Sequence, residues 1–259
     1  MNITTDYRPA NFNELVGQDH LLNQNGVLYN MLKAQQLKSM IFYGAPGTGK
    51  TTTAMILAKS FNLEFHNINA TNLSLDNIVS DKKISLSDIL KSLVANANAK
   101  FLLYLDEIQY LNKKQQQLFL PYIENNNFIL IASTTENPYY EIYNALLSRC
   151  QILEFKPISD TDIIKYLKHI TDDLKINIDD NALKFIAGTS AGDVRRAANL
   201  LETAIITYQN NITADNIDNI LPSIRMAHYD KNGNDHYALM SALQKSIRGS
   251  DPDASIFYL

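Results

Sequence analysis

The chain reads as an α/β protein in which a parallel five-stranded sheet is covered by helices on both faces, followed by a region made of helices alone. Three observations predict this. Five short apolar runs, at residues 40–43, 65–68, 101–105, 128–132 and 152–155, alternate with stretches of i, i+3, i+4 periodicity, the pattern of buried parallel strands joined by crossover helices. Between the first run and its helix lies Gly44-Ala45-Pro46-Gly47-Thr48-Gly49-Lys50-Thr51, which fits G-x-x-x-x-G-K-[ST] where a phosphate-cradling loop belongs. After Lys156-Pro157 the strand signal stops.

In chain order, a helix is expected over residues 21–37, ahead of the first strand. The helix over 50–61 carries Ala54, Leu57, Ala58 and Phe61 at helical spacing, and further helices are expected at 85–98, 113–124 and 139–147. Beyond Pro157 the periodicity predicts helices at 160–170, 181–187, 194–208, 214–220 and 236–246. Pro157 and Pro222 read as boundaries, because proline cannot continue a helix without losing a hydrogen bond. The expected units are therefore a nucleotide-binding domain at 1–157, a helical domain at 158–222 and the start of a helical C-terminal domain at 223–259. Residues 255–259 are apolar with no polar tail, so this last segment is expected to be cut short.

At 259 residues with 46% apolar side chains, the chain has enough material for roughly two compact units. Apolar runs are only a few residues long and the N-terminal start has neither a basic nor an apolar segment, so secretion and membrane insertion are not expected. Cys150 is the single cysteine, and the five histidines lack ligand spacing, which excludes an internal disulfide and a histidine metal cage and favours a reducing, cytoplasmic setting. The net charge is -4; residues 1–157 hold 13 basic and 13 acidic side chains, residues 158–259 hold 10 and 14, and no basic stripe announces nucleic acid.

The glycine loop carries the first chemistry. Gly44, Gly47 and Gly49 let backbone N–H groups turn inward, Ala45, Pro46 and Thr48 complete the cradle, and a helix beginning near Lys50 and running through Thr52 aims its positive end at phosphates. Lys50 reaches the β and γ phosphates of a nucleoside triphosphate, and Thr51 offers its hydroxyl to Mg²⁺. The strand over 102–105 ends in Asp106-Glu107. Two acids at the end of a buried strand suit a waiting cation: Asp106 would help hold Mg²⁺, and Glu107 would orient and deprotonate the attacking water, the plain alternative being a solvated loop acid. Ser133-Thr134-Thr135 closes the next strand where open α/β sheets bind ligands, so one hydroxyl is expected to meet the γ-phosphate or the water; a strand end rich in β-branched residues reads equally well. Taken alone, Arg149 also reads as a helix C-terminal cation and Arg195-Arg196 as a solvated pair.

In their order, Gly44 to Thr51, Leu102 to Glu107, Thr134-Thr135, Leu147-Ser148-Arg149-Cys150 and Gly192-Asp193-Val194-Arg195-Arg196 resemble the P-loop, acidic strand, sensor 1, arginine finger and sensor 2 of the AAA+ ATPases. The resemblance implies ATP with Mg²⁺, Thr135 as the likelier sensor of the two threonines, Arg149 reaching into a neighbouring subunit's ATP, and Arg195 descending from a helical lid at 158–222. Tyr7-Arg8-Pro9-Ala10-Asn11-Phe12 and Val16-Gly17-Gln18 resemble the segment that lies against adenine in clamp loaders, which implies contacts from Arg8, Pro9, Val16 and Gly17.

Within AAA+, Asp106-Glu107-Ile108-Gln109, Thr134 to Pro138, Ala145 to Arg149 and above all Lys245-Ser246-Ile247-Arg248-Gly249-Ser250-Asp251-Pro252-Asp253-Ala254 resemble the RarA/MgsA family with its eukaryotic Werner-helicase-interacting members, over nearly the whole chain. That resemblance implies ATP hydrolysis acting on forked or single-stranded DNA at stalled or damaged replication forks, in the cytoplasm at the nucleoid. It also implies self-association into a ring or tetramer, and replication partners such as single-strand-binding protein or helicase. Two features depart from the family: Gln109 stands where histidine is usual, with no effect on hydrolysis expected, and the family continues past the equivalent of Leu259 into a tetramer-forming domain, which leaves the assembly of this chain open. A clamp loader subunit or a Holliday-junction-motor-like ATPase shares the same signatures. A non-hydrolysing nucleotide-dependent binding module is the reading from another class, and it leaves Glu107 and Arg149 without a task.

Overall fold

A computed structural model describes residues 2–74, 86–96 and 100–225, together with 244–247, 249, 252 and 256. The described chain starts with α1 (Ile3–Asp6), capped by the Asn2 side chain accepting from the Thr5 amide, and continues through α2 (Asp19–Leu22) and α3 (Val27–Ala34). The single helix expected over 21–37 is two. Gly26 makes the break: a Cβ there would sit 2.2 Å from the Leu21 carbonyl oxygen, and Gly26 instead N-caps α3 in extended conformation.

Next come β1 (Met40–Tyr43), α4 (Lys50–Ser60), β2 (Glu64–Asn69), α5 (Ala70–Ser74), α6 (Leu86–Asn96) and β3 (Phe101–Asp106). A 3₁₀ turn (Ile108–Tyr110) leads to α7 (Lys113–Gln117), α8 (Leu120–Glu124), β4 (Phe128–Thr134), α9 (Pro138–Glu141), α10 (Asn144–Leu147) and β5 (Gln151–Glu154). The helices expected at 113–124 and 139–147 are each split. Pro121 sits in the first turn of α8, where its missing N–H is harmless, and Ile142 is extended after α9.

All five strands are parallel, in the order β2-β3-β4-β1-β5. Alternate residues of β3 feed opposite layers. Phe101, Leu103 and Leu105 pack with α6 and the segment around Phe119, while Leu102 and Tyr104 pack with α3 and α4. A strand buried on both faces must be apolar at every position, which is why these strands read as unbroken apolar runs. Their C-terminal ends gather the β1–α4 loop, the end of β3 and the end of β4 along one sheet edge, where open α/β sheets bind ligands.

The helical region contains α11 (Asp160–Leu174), α12 (Asp180–Ser190), α13 (Val194–Tyr208) and α14 (Ala214–Arg225). Ser159, Asp179 and Asp193 each N-cap a helix through a side-chain oxygen. Pro222 does not stop the last helix: α14 runs through it to Arg225. The helices share a core centred on Ile163, Leu167, Ile186 and Leu201, and Ile3 of α1, fully buried, belongs to it. The chain's first helix therefore packs into the helical region, with the Ile3 amide donating to Glu202 at 3.2 Å. The helix expected over 236–246 lies outside the described residues except at its end, as does most of 223–259, including Arg248.

Candidate nucleotide site

The loop between β1 and α4 is built by backbone conformations that side chains resist. Gly47 has φ +68°, and a Cβ on it would fall 1.7 Å from Oδ1 of Asp193, so only glycine lets the loop meet the N-terminus of α13. The Val194 amide donates to the Gly47 carbonyl at 3.2 Å, which ties the helical region to the loop. Lys50, only 9% exposed, donates from Nζ to the Gly44 and Ala45 carbonyls at 2.7 and 2.8 Å. Burial pushes its pKa down, and the nearby carboxylates of Glu107 and Asp106 act against that shift.

Beside the lysine, oxygens from two strands and a helix form a chain. Thr51 Oγ1 lies 3.0 Å from the Tyr104 hydroxyl, which donates to Asp106 Oδ1 at 3.3 Å; Ser133 Oγ donates to the same Oδ1 at 2.5 Å. The Glu107 amide donates to Ser133 Oγ at 3.3 Å. Ser133 thus holds both acids, and Tyr104, its phenol pKa raised by burial, joins Thr51 to Asp106. Ser133 was expected among the three hydroxyls closing β4 as a contact for phosphate or water, and here it holds the acids instead. Tyr104 was not singled out in the sequence, although Tyr104 and Asp106 are two apart on a strand and so share a face. Glu107 has φ +57°, a left-handed conformation that costs a β-carbon-bearing residue about 1 kcal/mol or more and aims its carboxylate off the strand end.

A cavity of about 220 Å³ joins these groups. Of the residues expected at the nucleotide it is lined by Arg8, Pro9, Val16, the loop from Pro46 through Thr52, Asp106, Glu107, Thr135 and Arg195, with Thr4, Thr5, Ile158 and Tyr166 as walls not foreseen. Thr135 opens onto the cavity. The buried Thr134 hydroxyl instead accepts from the Glu136 amide at 3.0 Å. Gly17, Gly44 and Ala45 do not line it. Gly44 is packed on the Phe155 carbonyl and Gly17 on Ile158, while the Ala45 carbonyl accepts from Thr48 Oγ1 as well as from Lys50. Arg149 is elsewhere: it follows α10 just before β5, whose Gln151 is paired with Met40 at the start of β1. The loop leaves the opposite end of β1, a strand's length of roughly 13 Å away.

The oxygen-only set of Thr51 and Asp106 suits a hard cation such as Mg²⁺, which takes one or two protein oxygens and completes its shell with phosphates and water. Among the described residues no group of three or more His, Cys, Asp and Glu side chains forms a protein-only metal cage. Among them, too, no helix is long and apolar enough to cross a membrane.

Residues 40–158 match the ATPase family associated with various cellular activities (AAA), and residues 172–248 match the AAA C-terminal domain. The chain is 36% identical over 265 residues to replication-associated recombination protein A of Bacillus subtilis and 35% identical over 263 residues to that of Escherichia coli, in each case across 97% of its own length. It is 38% identical over 255 residues to an uncharacterized protein of Thermotoga maritima. The chain spans 60%, 58% and 41% of these three relatives. The RuvB Holliday junction branch migration motor of Thermotoga maritima has the same fold, with a TM-score of 0.69 at 22% identity over 93% of this chain and 79% of that one. Phosphate loop, paired acids and the helical region thus line one cavity, in a chain that carries an ATPase domain of the AAA class followed by the AAA C-terminal domain and that is similar over 97% of its length to replication-associated recombination protein A.

Proposed function

We propose that the chain hydrolyses ATP with Mg²⁺ at a site shared between neighbouring subunits, and that it uses this cycle on forked or single-stranded DNA at stalled or damaged replication forks. The observation that carries the chemistry is the convergence of Lys50, Thr51, Asp106, Glu107, Thr135 and Arg195 on one cavity. The loop amides and the Lys50 ammonium bind the β and γ phosphates; Arg195 adds a second cation from α13. Val16, Pro9 and Arg8 lie against the base. Thr51 and Asp106 would hold Mg²⁺, which when bound supplies positive charge to the phosphate oxygens. Glu107 takes the proton of the attacking water as its oxygen moves onto the γ-phosphorus and the bond from that phosphorus to the β,γ-bridging oxygen breaks, ADP carrying off the electron pair, and the Thr135 hydroxyl orients that water or the phosphate.

Arg149 stands at the far sheet edge from its own loop, so its natural target is the ATP of the next subunit, where its guanidinium grips phosphate oxygens as charge develops. This reading requires self-association into a ring or tetramer. The DNA part rests on the relatives' name and on the family resemblance, as do a nucleoid-associated cytoplasmic location and partners such as single-strand-binding protein or helicase. Single-turnover ATP hydrolysis measured with and without forked and single-stranded DNA tests it. Hydrolysis raised by DNA supports the whole reading, hydrolysis indifferent to both DNAs removes the fork role, and no hydrolysis at any chain concentration removes the enzyme.

A further inference from the structure

Two residues past Glu107, inside the 3₁₀ turn, Gln109 turns its amide back toward the acid. Nε2 lies 2.5 Å from Glu107 Oε2 and 3.4 Å from Thr135 Oγ1. A carboxylate only accepts, so the half of the amide that faces it is the donor. The other half is left in an odd position: Gln109 Oε1 is buried with no hydrogen-bond partner. An apolar residue of similar size would avoid that loss, so the amide is not there for stability.

The backbone beneath is fixed. Ile108 is fully buried, the Tyr110 amide donates to the Glu107 carbonyl at 3.1 Å, and the Leu111 amide donates to the Ile108 carbonyl at 3.0 Å. The Glu107 side chain, by contrast, borders a second cavity lined also by Pro46, Tyr110 and Glu141, so space lies beside it. Gln109 is its side-chain restraint among the described contacts, and it occupies Oε2 alone, leaving Oε1 available to a water.

We infer that Gln109 is a positioning residue for the reaction: its amide ties the Glu107 carboxylate to the Thr135 hydroxyl, so that the base and the group facing the terminal phosphate keep one geometry. This rests on the reading of Glu107 and Thr135 given above and assigns a task to a position where the sequence suggested none.

The test uses the full chain at matched concentration, measuring ATP affinity, turnover and thermal stability for Gln109→Leu, Gln109→Ala and Gln109→His, with Glu107→Gln as the reference. Leucine and alanine remove the donor, and both variants should lose roughly 10²-fold in kcat with ATP affinity and Tm unchanged, the scale of a base displaced by about an ångström. Histidine keeps an N–H donor and should restore most of the parental kcat. In the Glu107→Gln background the Gln109→Leu change should cost nothing more. Parental turnover in Gln109→Leu beside a silent Glu107→Gln overturns this inference and leaves the ATPase reading standing. So does a loss of ATP affinity and turnover together, which marks a general structural role. A Glu107→Gln variant that turns over normally defeats the reading itself, and this inference with it.

Discussion

Arg149 is held by Glu124. Nη2 and Nε of the arginine lie 2.6 and 2.7 Å from the same carboxylate oxygen, while Nη1 donates to the Ala145 carbonyl at 3.0 Å. The whole guanidinium fork is thus engaged within its own subunit. Both partners are well exposed, 39% and 51%, and an ion pair in such a setting contributes ~1 kcal/mol or less. A contact that weak orients the arginine and gives way readily to a phosphate. Glu124→Ala should therefore change unfolding free energy by no more than ~1 kcal/mol in denaturant titration, with ATP affinity unaffected; a larger loss would make the pair a structural element of the α8–α10 junction.

Lys50→Ala should abolish ATP binding. The ammonium is the side-chain cation on the loop, and its two present acceptors are the loop's own carbonyls. Titration with a fluorescent nucleotide reads the effect directly, and parental affinity in the variant would remove the Gly44–Thr51 loop as the phosphate site.

Glu107→Gln should bind ATP as the parent does and fail to turn it over, because the amide keeps the shape and loses the basicity. Equilibrium binding and single-turnover hydrolysis, measured separately, decide it. Hydrolysis near the parental rate would reduce Glu107 to a solvated acid at a strand end.

Burial pushes the Cys150 thiol up to about 12. Against its ordinary value of 9.0 that leaves about 10³-fold fewer thiolates near neutral pH, and the thiolate is the reactive form. Thiol reagents at pH 8 should label the folded chain far more slowly than the denatured one. Equal rates would show that Cys150 is open to solvent.

The sheet was legible because parallel strands buried on both faces leave continuous apolar runs; β1 was predicted at its observed limits, and the others end within two residues of theirs. The phosphate loop was legible because its residues are contiguous. What the sequence hid was made by distant or opposed contacts. Ile3 sits in a four-residue helix with no periodicity, and its partners lie almost two hundred residues on. Ser133 holds Asp106 across neighbouring strands, and Gln109 reaches Thr135 across 26 positions, pairings that exist only once β3 and β4 are aligned. The splits near Pro121 and Ile142 were missed because apolar spacing continues through both: ahead of Pro121, which has no N–H to donate, the backbone stays αR and only tightens to i→i−3 bonds, while at Ile142 it turns extended.

In the proposed mechanism Glu107 of one subunit and Arg149 of the next complete a single active site. Arg149→Ala should lower turnover in assemblies by roughly 10³ to 10⁵, as loss of an arginine finger does elsewhere, with little change in ATP affinity. The most direct measurement mixes Arg149→Ala chains with Glu107→Gln chains, each inactive alone, under conditions where mixed oligomers are shown to form. Some interfaces then join an intact Glu107 to an intact Arg149, and ATPase activity should partly return. Mixed oligomers with no recovered activity would contradict a shared site and leave Arg149 as a helix-end cation paired with Glu124.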